Sequence, residues 1–141
     1  MKAIFKIFLI VLVSILLQSS RCRKESDTCH KTINFVNNSS IPIYVARYSD
    51  TIIPNYIISP SSDEPSHKIA SNSSSILPLS NRYCWEDYLD YDEGKINAFI
   101  FDANMVDSIP WDTVIENQLF IKQYNLNLRY LNNMNWEITY P

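Results

Sequence analysis

Lys95-Ile96-Asn97-Ala98-Phe99-Ile100-Phe101-Asp102 is the stretch that decides the fold. Side chains alternate across an extended chain. Ile96, Ala98 and Ile100 therefore share one face, and Phe99 and Phe101 share the other. A strand that is apolar on both faces is buried on both, so this stretch predicts a central strand. Upstream, Lys31 to Phe35 alternates with Ile33 and Phe35 on one side and Thr32 and Asn34 on the other. Asn37, Asn38, Ser39 and Ser40 are turn residues. Ile41 to Tyr48 alternates again, with Ile43, Val45 and Arg47 facing opposite to Tyr44, Ala46 and Tyr48. Strand, polar turn and strand predict a hairpin.

Further along, Pro54, Pro60 and Pro65 mark loops around short strands near Tyr56 to Ile58 and Lys68 to Ala70. Ser71 to Ser75 reads as a turn and Ile76 to Leu79 as an edge strand. Trp85, Tyr88 and Leu89 have the spacing of one helix face. Asp107 or Ser108 is placed to cap a helix that carries Pro110 early and buries Trp111, Val114 and Ile115. Leu119 to Tyr124 reads as strand. Asn127 reads as the cap of a second helix, with Leu128, Leu131 and Met134 inward. Asn135 to Tyr140 closes the chain as a strand. Many short strands separated by turns predict a mainly β fold, a small antiparallel β-sandwich with one or two short helices. An α+β layer is the alternative.

The N-terminal segment has a different character. Ile7 to Leu17 is apolar except for Ser14, with Lys2 and Lys6 before it. A bilayer-spanning helix needs about twenty apolar residues. A basic start and a short apolar core are the pattern of a signal peptide. The expected division is a signal peptide over residues 1–21, a charged tether over 22–30, and a single β-rich domain over 31–141. Cys22 follows the apolar core as the acylated cysteine of a bacterial lipobox does, although Arg21 stands where a small residue is usual. Cleavage after Ser20 is the alternative. The cysteines are Cys22, Cys29 and Cys84. If Cys22 carries lipid, Cys29 and Cys84 remain as an even pair, which favours a disulfide in an exported domain. Two buried thiols that never meet are the alternative.

Composition excludes several kinds of chemistry. The whole chain has net charge −3. Without Lys2, Lys6 and Arg21, nine basic residues face fifteen acidic ones, a net charge of −6. Such a domain lacks the basic footprint of nucleic-acid binding. Gly94 is the one glycine, which excludes phosphate-cradling loops and a glycine-flanked nucleophile elbow. His30 and His67, with Cys29 and Cys84, lack the paired spacing of a zinc site, and both histidines read as surface or rim residues. Asp87, Asp90, Asp92 and Glu93 form an acidic stretch, but Phe101 occupies the place of the bidentate glutamate of a calcium loop. No metal, cofactor or catalytic residue is expected. Tyr44, Tyr48, Tyr56 and Tyr91 are the tyrosines whose exposure would matter for a binding surface.

Cys29-His-Lys-Thr-Ile-Asn-Phe-Val-Asn-Asn-Ser39 and Pro42-Ile-Tyr-Val45 carry a resemblance. So do Phe99-Ile-Phe-Asp102, Pro110-Trp-Asp-Thr-Val114 and Asn135-Trp-Glu-Ile-Thr-Tyr-Pro141. Together they are similar to a family of short, uncharacterised lipoproteins of Bacteroides and its relatives. The resemblance covers most of 22–141 and implies lipidation at Cys22 and a place in the cell envelope; the outer membrane is the expected site, with the periplasm as the alternative. It implies no catalytic residue. The expected function is a non-enzymatic, lipid-anchored envelope module that binds a protein or glycan partner or serves structurally. A small envelope hydrolase using carboxylates, or a soluble periplasmic binding module, is the alternative.

Overall fold

The computed structural model describes residues 25–54, 59–61, 68–78, 83–91 and 94–141. The signal peptide, Cys22, the strand expected near Tyr56 to Ile58, His67, Asp92 and Glu93 lie outside the described residues. The described chain is mainly β, with seven strands in two sheets. One sheet holds β1 (Thr32–Asn37), β4 (Ser73–Pro78) and β7 (Glu137–Tyr140), in the order β4-β1-β7. The other holds β2 (Ile43–Tyr48), β3 (Lys68–Ile69), β5 (Ile96–Asp102) and β6 (Lys122–Leu126), in the order β3-β2-β5-β6. All pairs are antiparallel except β1 with β7. The sandwich carries four short helices among the described residues, not one or two: α1 (Trp85–Tyr91), α2 (Ala103–Val106), α3 (Trp111–Glu116) and α4 (Leu128–Asn133).

The β5 strand is central and buried along both faces, as its sequence dictates. Ile96, Ala98 and Ile100 pack between the sheets with Ile33 and Phe35 of β1, Ile43 and Val45 of β2, and Trp85 of α1. Phe99 and Phe101 point the other way, into a second core. There they meet Tyr44 and Ala46 of β2, Val106 of α2, and Val114 and Ile115 of α3. The four-stranded sheet is thus the middle layer of three. Each large apolar side chain it buries contributes about 1.5–3 kcal/mol.

The hairpin expected from β1 and β2 does not form, because the two strands lie in different sheets. Alternation requires only that one face of each strand be buried, and a polar turn can cross between layers as readily as it reverses within one. The side chain of Asn37 makes the crossing. It is fully buried, and its Nδ2 donates to the carbonyls of Ile41 (2.8 Å), Ala70 (3.0 Å) and Ile69 (3.3 Å). Its Oδ1 accepts from the backbone N–H and the hydroxyl of Ser39. One amide therefore ties the exit of β1 to the entry of β2 and to the end of β3. Asn37→Leu is expected to lower stability by about 2–3 kcal/mol, because it leaves buried carbonyls unpaired. Chemical denaturation checks this against exposed Asn38→Ala. A loss below about 1 kcal/mol would mean that the crossing holds without the amide.

Other expectations shift. Ser73, Ser74 and Ser75 are strand rather than turn, since they pair with Asn37, Val36 and Phe35 of β1. The turn is pushed back to Asn72, which adopts φ 52°, a left-handed conformation that asparagine tolerates well. The strand expected over Leu119 to Tyr124 is β6 at Lys122–Leu126. Neither Asp107 nor Ser108 caps α3; Pro110 occupies the N-cap without a side-chain bond. Asp102 instead caps α2, accepting from the Asn104 N–H at 2.9 Å. Asn127 does cap α4, accepting from the Tyr130 N–H at 2.9 Å. Met134 follows α4 as its C-cap and is exposed.

Candidate functional site

Cys29 and Cys84 form a disulfide with the Cα atoms 5.0 Å apart. It joins the chain just before β1 to the chain just before α1. The surrounding bonds extend that junction. The N–H of Trp85 donates to the His30 carbonyl at 2.7 Å. The Glu86 carboxylate accepts from the His30 N–H at 2.9 Å and from the ring Nδ1–H at 2.6 Å. The imidazole also stacks on Trp136, 3.9 Å between centroids and 12° from parallel. Residues 26–30 are thus bonded into the domain through Cys29 and His30. His30 is half-buried and committed to Glu86, and Cys29 and Cys84 are committed to each other.

A second cluster sits on the helix side of the middle sheet. Tyr44 is buried, and its hydroxyl donates to Asp107 Oδ1 at 2.9 Å. Lys68 Nζ donates to Asp107 Oδ2 at 2.6 Å and lies 5.4 Å from the Tyr44 ring centroid. The Lys68 bond, helped by the Tyr44 hydroxyl, holds the Asp107 carboxyl below its usual range. The bond to Asp107 raises Lys68. Burial, then Asp107, raises Tyr44. Each shift favours the neutral phenol, the ammonium and the carboxylate. The stabilisation is therefore lost as pH falls through the lowered Asp107 value, and again as pH rises through the raised values of Tyr44 and Lys68. The Lys68 and Asp107 side chains are 39% and 38% exposed, so solvent screening keeps this pair to roughly a few tenths of a kcal/mol. Its place is structural, tying β3 and the turn after α2 to β2.

The arrangement with binding chemistry lies at the end of β2. Arg47 and Tyr48 end that strand, and Ser49 and Asp50 follow it. With Pro54, Tyr88 of α1 and Ile96 of β5, they line a cleft of about 230 Å³. Arg47 lies on the same strand face as Ile43 and Val45, the face turned toward the other sheet. It pairs across the ladder with Ala98, whose methyl group leaves space beside it. The guanidinium lies over the Trp85 ring, 5.0 Å from the centroid. Tyr88 meets Trp85 edge-on at 5.7 Å. Among the described residues, the buried Nη1 of Arg47 has no hydrogen-bond partner. Burial pushes the guanidinium below its ordinary pKa, with Tyr88 acting in the opposite sense. It stays charged at neutral pH.

The rim of the cleft is held from below by Asn97, the buried polar residue of β5. Its Nδ2 donates to the carbonyls of Ser49 (3.2 Å) and Asp50 (2.9 Å). Its Oδ1 accepts from Gln123 Nε2 at 3.0 Å. The backbone beside Arg47 is therefore positioned by a rigid central strand.

Of the tyrosines singled out in the sequence, Tyr44 is buried and bonded, Tyr48 lines the cleft, and Tyr56 lies outside the described residues. Asp87 and Asp90 are exposed on α1. Among the described residues no three His, Cys, Asp or Glu side chains converge on a metal position. No described helix is long and apolar enough to cross a membrane. Sequence reasoning missed the Arg47 cleft. The available signal was a cation at the apolar phase of an alternating strand. Comparison with protein-family models, curated proteins and solved structures gives no match.

Proposed function

We propose that this protein is a non-enzymatic, lipid-anchored module of the bacterial cell envelope that binds a partner through the cleft around Arg47. The observation that carries the binding role is the half-buried guanidinium on Trp85, with one nitrogen unpaired among the described residues. Burying a cation without a counter-charge is unfavourable, and a ligand that meets it recovers part of that cost. The supporting sequence features for the anchor are the short apolar run Ile7 to Leu17 and Cys22 just after it. Acylation of Cys22 would hold the domain at the membrane, with the outer membrane as the expected site.

Fractionation with Cys22→Ser tests the anchor. The native chain is expected with membranes and the variant in the soluble envelope fraction. A variant that stays in membranes would overturn lipidation at Cys22, and a native chain already soluble would favour a periplasmic module. Capture from envelope extract, compared between the native chain and Arg47→Met, tests the binding role. Loss of the captured partner in the variant is the expected outcome, and an unchanged pattern rejects the cleft as the binding site.

A further inference from the structure

We infer that the Arg47 cleft takes one carboxylate carried on a hydroxylated ring, the chemistry of a sugar acid such as a uronate residue in a glycan. This rests on the binding role proposed above and names the ligand class. Three features converge on it.

The first is the cation. Arg47 lines the cleft, and among the described residues no carboxylate is bonded to its guanidinium, a planar group whose geometry suits a carboxylate. Asp50 lines the same cleft, yet no ion pair or hydrogen bond joins it to Arg47 among the described residues. The charge is thus left for something that enters.

The second is size. Sites for drug-sized ligands occupy about 300–1,000 Å³. A cleft of about 230 Å³ is smaller than that and suits a single ring. Tyr88 of α1 lines it, and an aromatic ring offers an apolar face to the C–H face of a sugar while its hydroxyl stays polar, whereas the Tyr48 ring packs on Phe99 in the second core.

The third is the sign of the remaining charge. Asp50 supplies a hydrogen-bond acceptor for ring hydroxyls but repels a second anion. The chain as a whole carries net charge −3, and −6 without the three cations of its first 21 residues. One carboxylate is matched by Arg47, whereas an oligo-acidic peptide would bring further charge into a negative field. Asn97 keeps the Ser49–Asp50 backbone in place in advance, so little ordering is needed on binding.

The test is calorimetric titration of the purified full chain at pH 7 with sodium glucuronate, glucose and a glutamate-rich tripeptide, repeated with Arg47→Met and Arg47→Lys. Glucuronate is expected to bind saturably and at least about tenfold more tightly than glucose, the scale of one charge-assisted contact. Arg47→Met is expected to lose that tenfold preference, and Arg47→Lys to retain only part of it. The unfolding midpoint of Arg47→Met should equal or exceed that of the native chain, since methionine fits the apolar face without an unpaired charge. That melt separates lost recognition from lost folding. Equal affinity for glucuronate and glucose, or glucuronate binding unchanged in Arg47→Met, overturns the inference. Tighter binding of the tripeptide, lost with Arg47, overturns the sugar-acid class and leaves the binding role standing. No binding of any probe, together with an unchanged capture pattern in Arg47→Met, removes both.

Discussion

Phe99→Ala is expected to lower the stability of the domain by about 4 kcal/mol, in the range for removing a buried aromatic ring from a packed core. Phe99 is fully buried at the middle of β5. Its ring meets Phe120 edge-on at 5.1 Å and Tyr48 at 5.5 Å, with Phe101 stacked at 6.5 Å. Its neighbours belong to two strands and to the loop after α3, so they cannot collapse together into the space left behind. Stability of a single domain is usually about 5–15 kcal/mol, so one truncation removes a large share of it. Urea denaturation is the measurement, with exposed Ile121→Ala as a control expected to stay within about 0.5 kcal/mol. A loss below about 1 kcal/mol for Phe99→Ala would show that the helical layer does not pack on the sheet.

Opening the Cys29–Cys84 bridge is expected to have an effect of similar size through a different state. The two cysteines are 55 residues apart. Closing a loop of that length stabilises the fold by about 4 kcal/mol in the chain-entropy model, by restricting the unfolded chain. The double variant Cys29→Ala/Cys84→Ala should therefore unfold at lower urea, with a steeper denaturant dependence, because its unfolded chain is less compact. Phe99→Ala should move the midpoint alone. Non-reducing mass spectrometry with alkylation gives the direct check: labelling of Cys29 and Cys84 without reductant would refute the bridge.

The residues that were legible in the sequence share one property: a local pattern with a single physical solution. Apolar residues on both faces of 95–102 could only be a covered strand, and β5 is the centre of the middle layer. Asn127 ahead of Leu128 and Leu131 could cap a helix, and does. The misread elements had two local solutions. The turn at Asn37–Ser40 could reverse within a sheet or cross between sheets, and the difference lies in what Asn37 meets at Ile69 and Ala70, more than thirty residues away. Ser73 to Ser75 are poor strand formers by composition, yet β1 leaves an edge that they pair with. Tyr44 could face solvent or a partner, and Asp107 decided it.

By itself, then, the chain's residue order determined the mainly β class, the centre of the sheet, the faces of β2 and β5, and the net negative charge. Each of these follows from alternation or composition over fewer than ten residues or over the whole chain. Only the tertiary structure decided that β1 and β2 part company, that β7 returns parallel to β1, and that Arg47 lies over Trp85 at the edge of a cleft. Those outcomes depend on contacts between distant segments, where the burial of one side chain is settled by what another segment places against it.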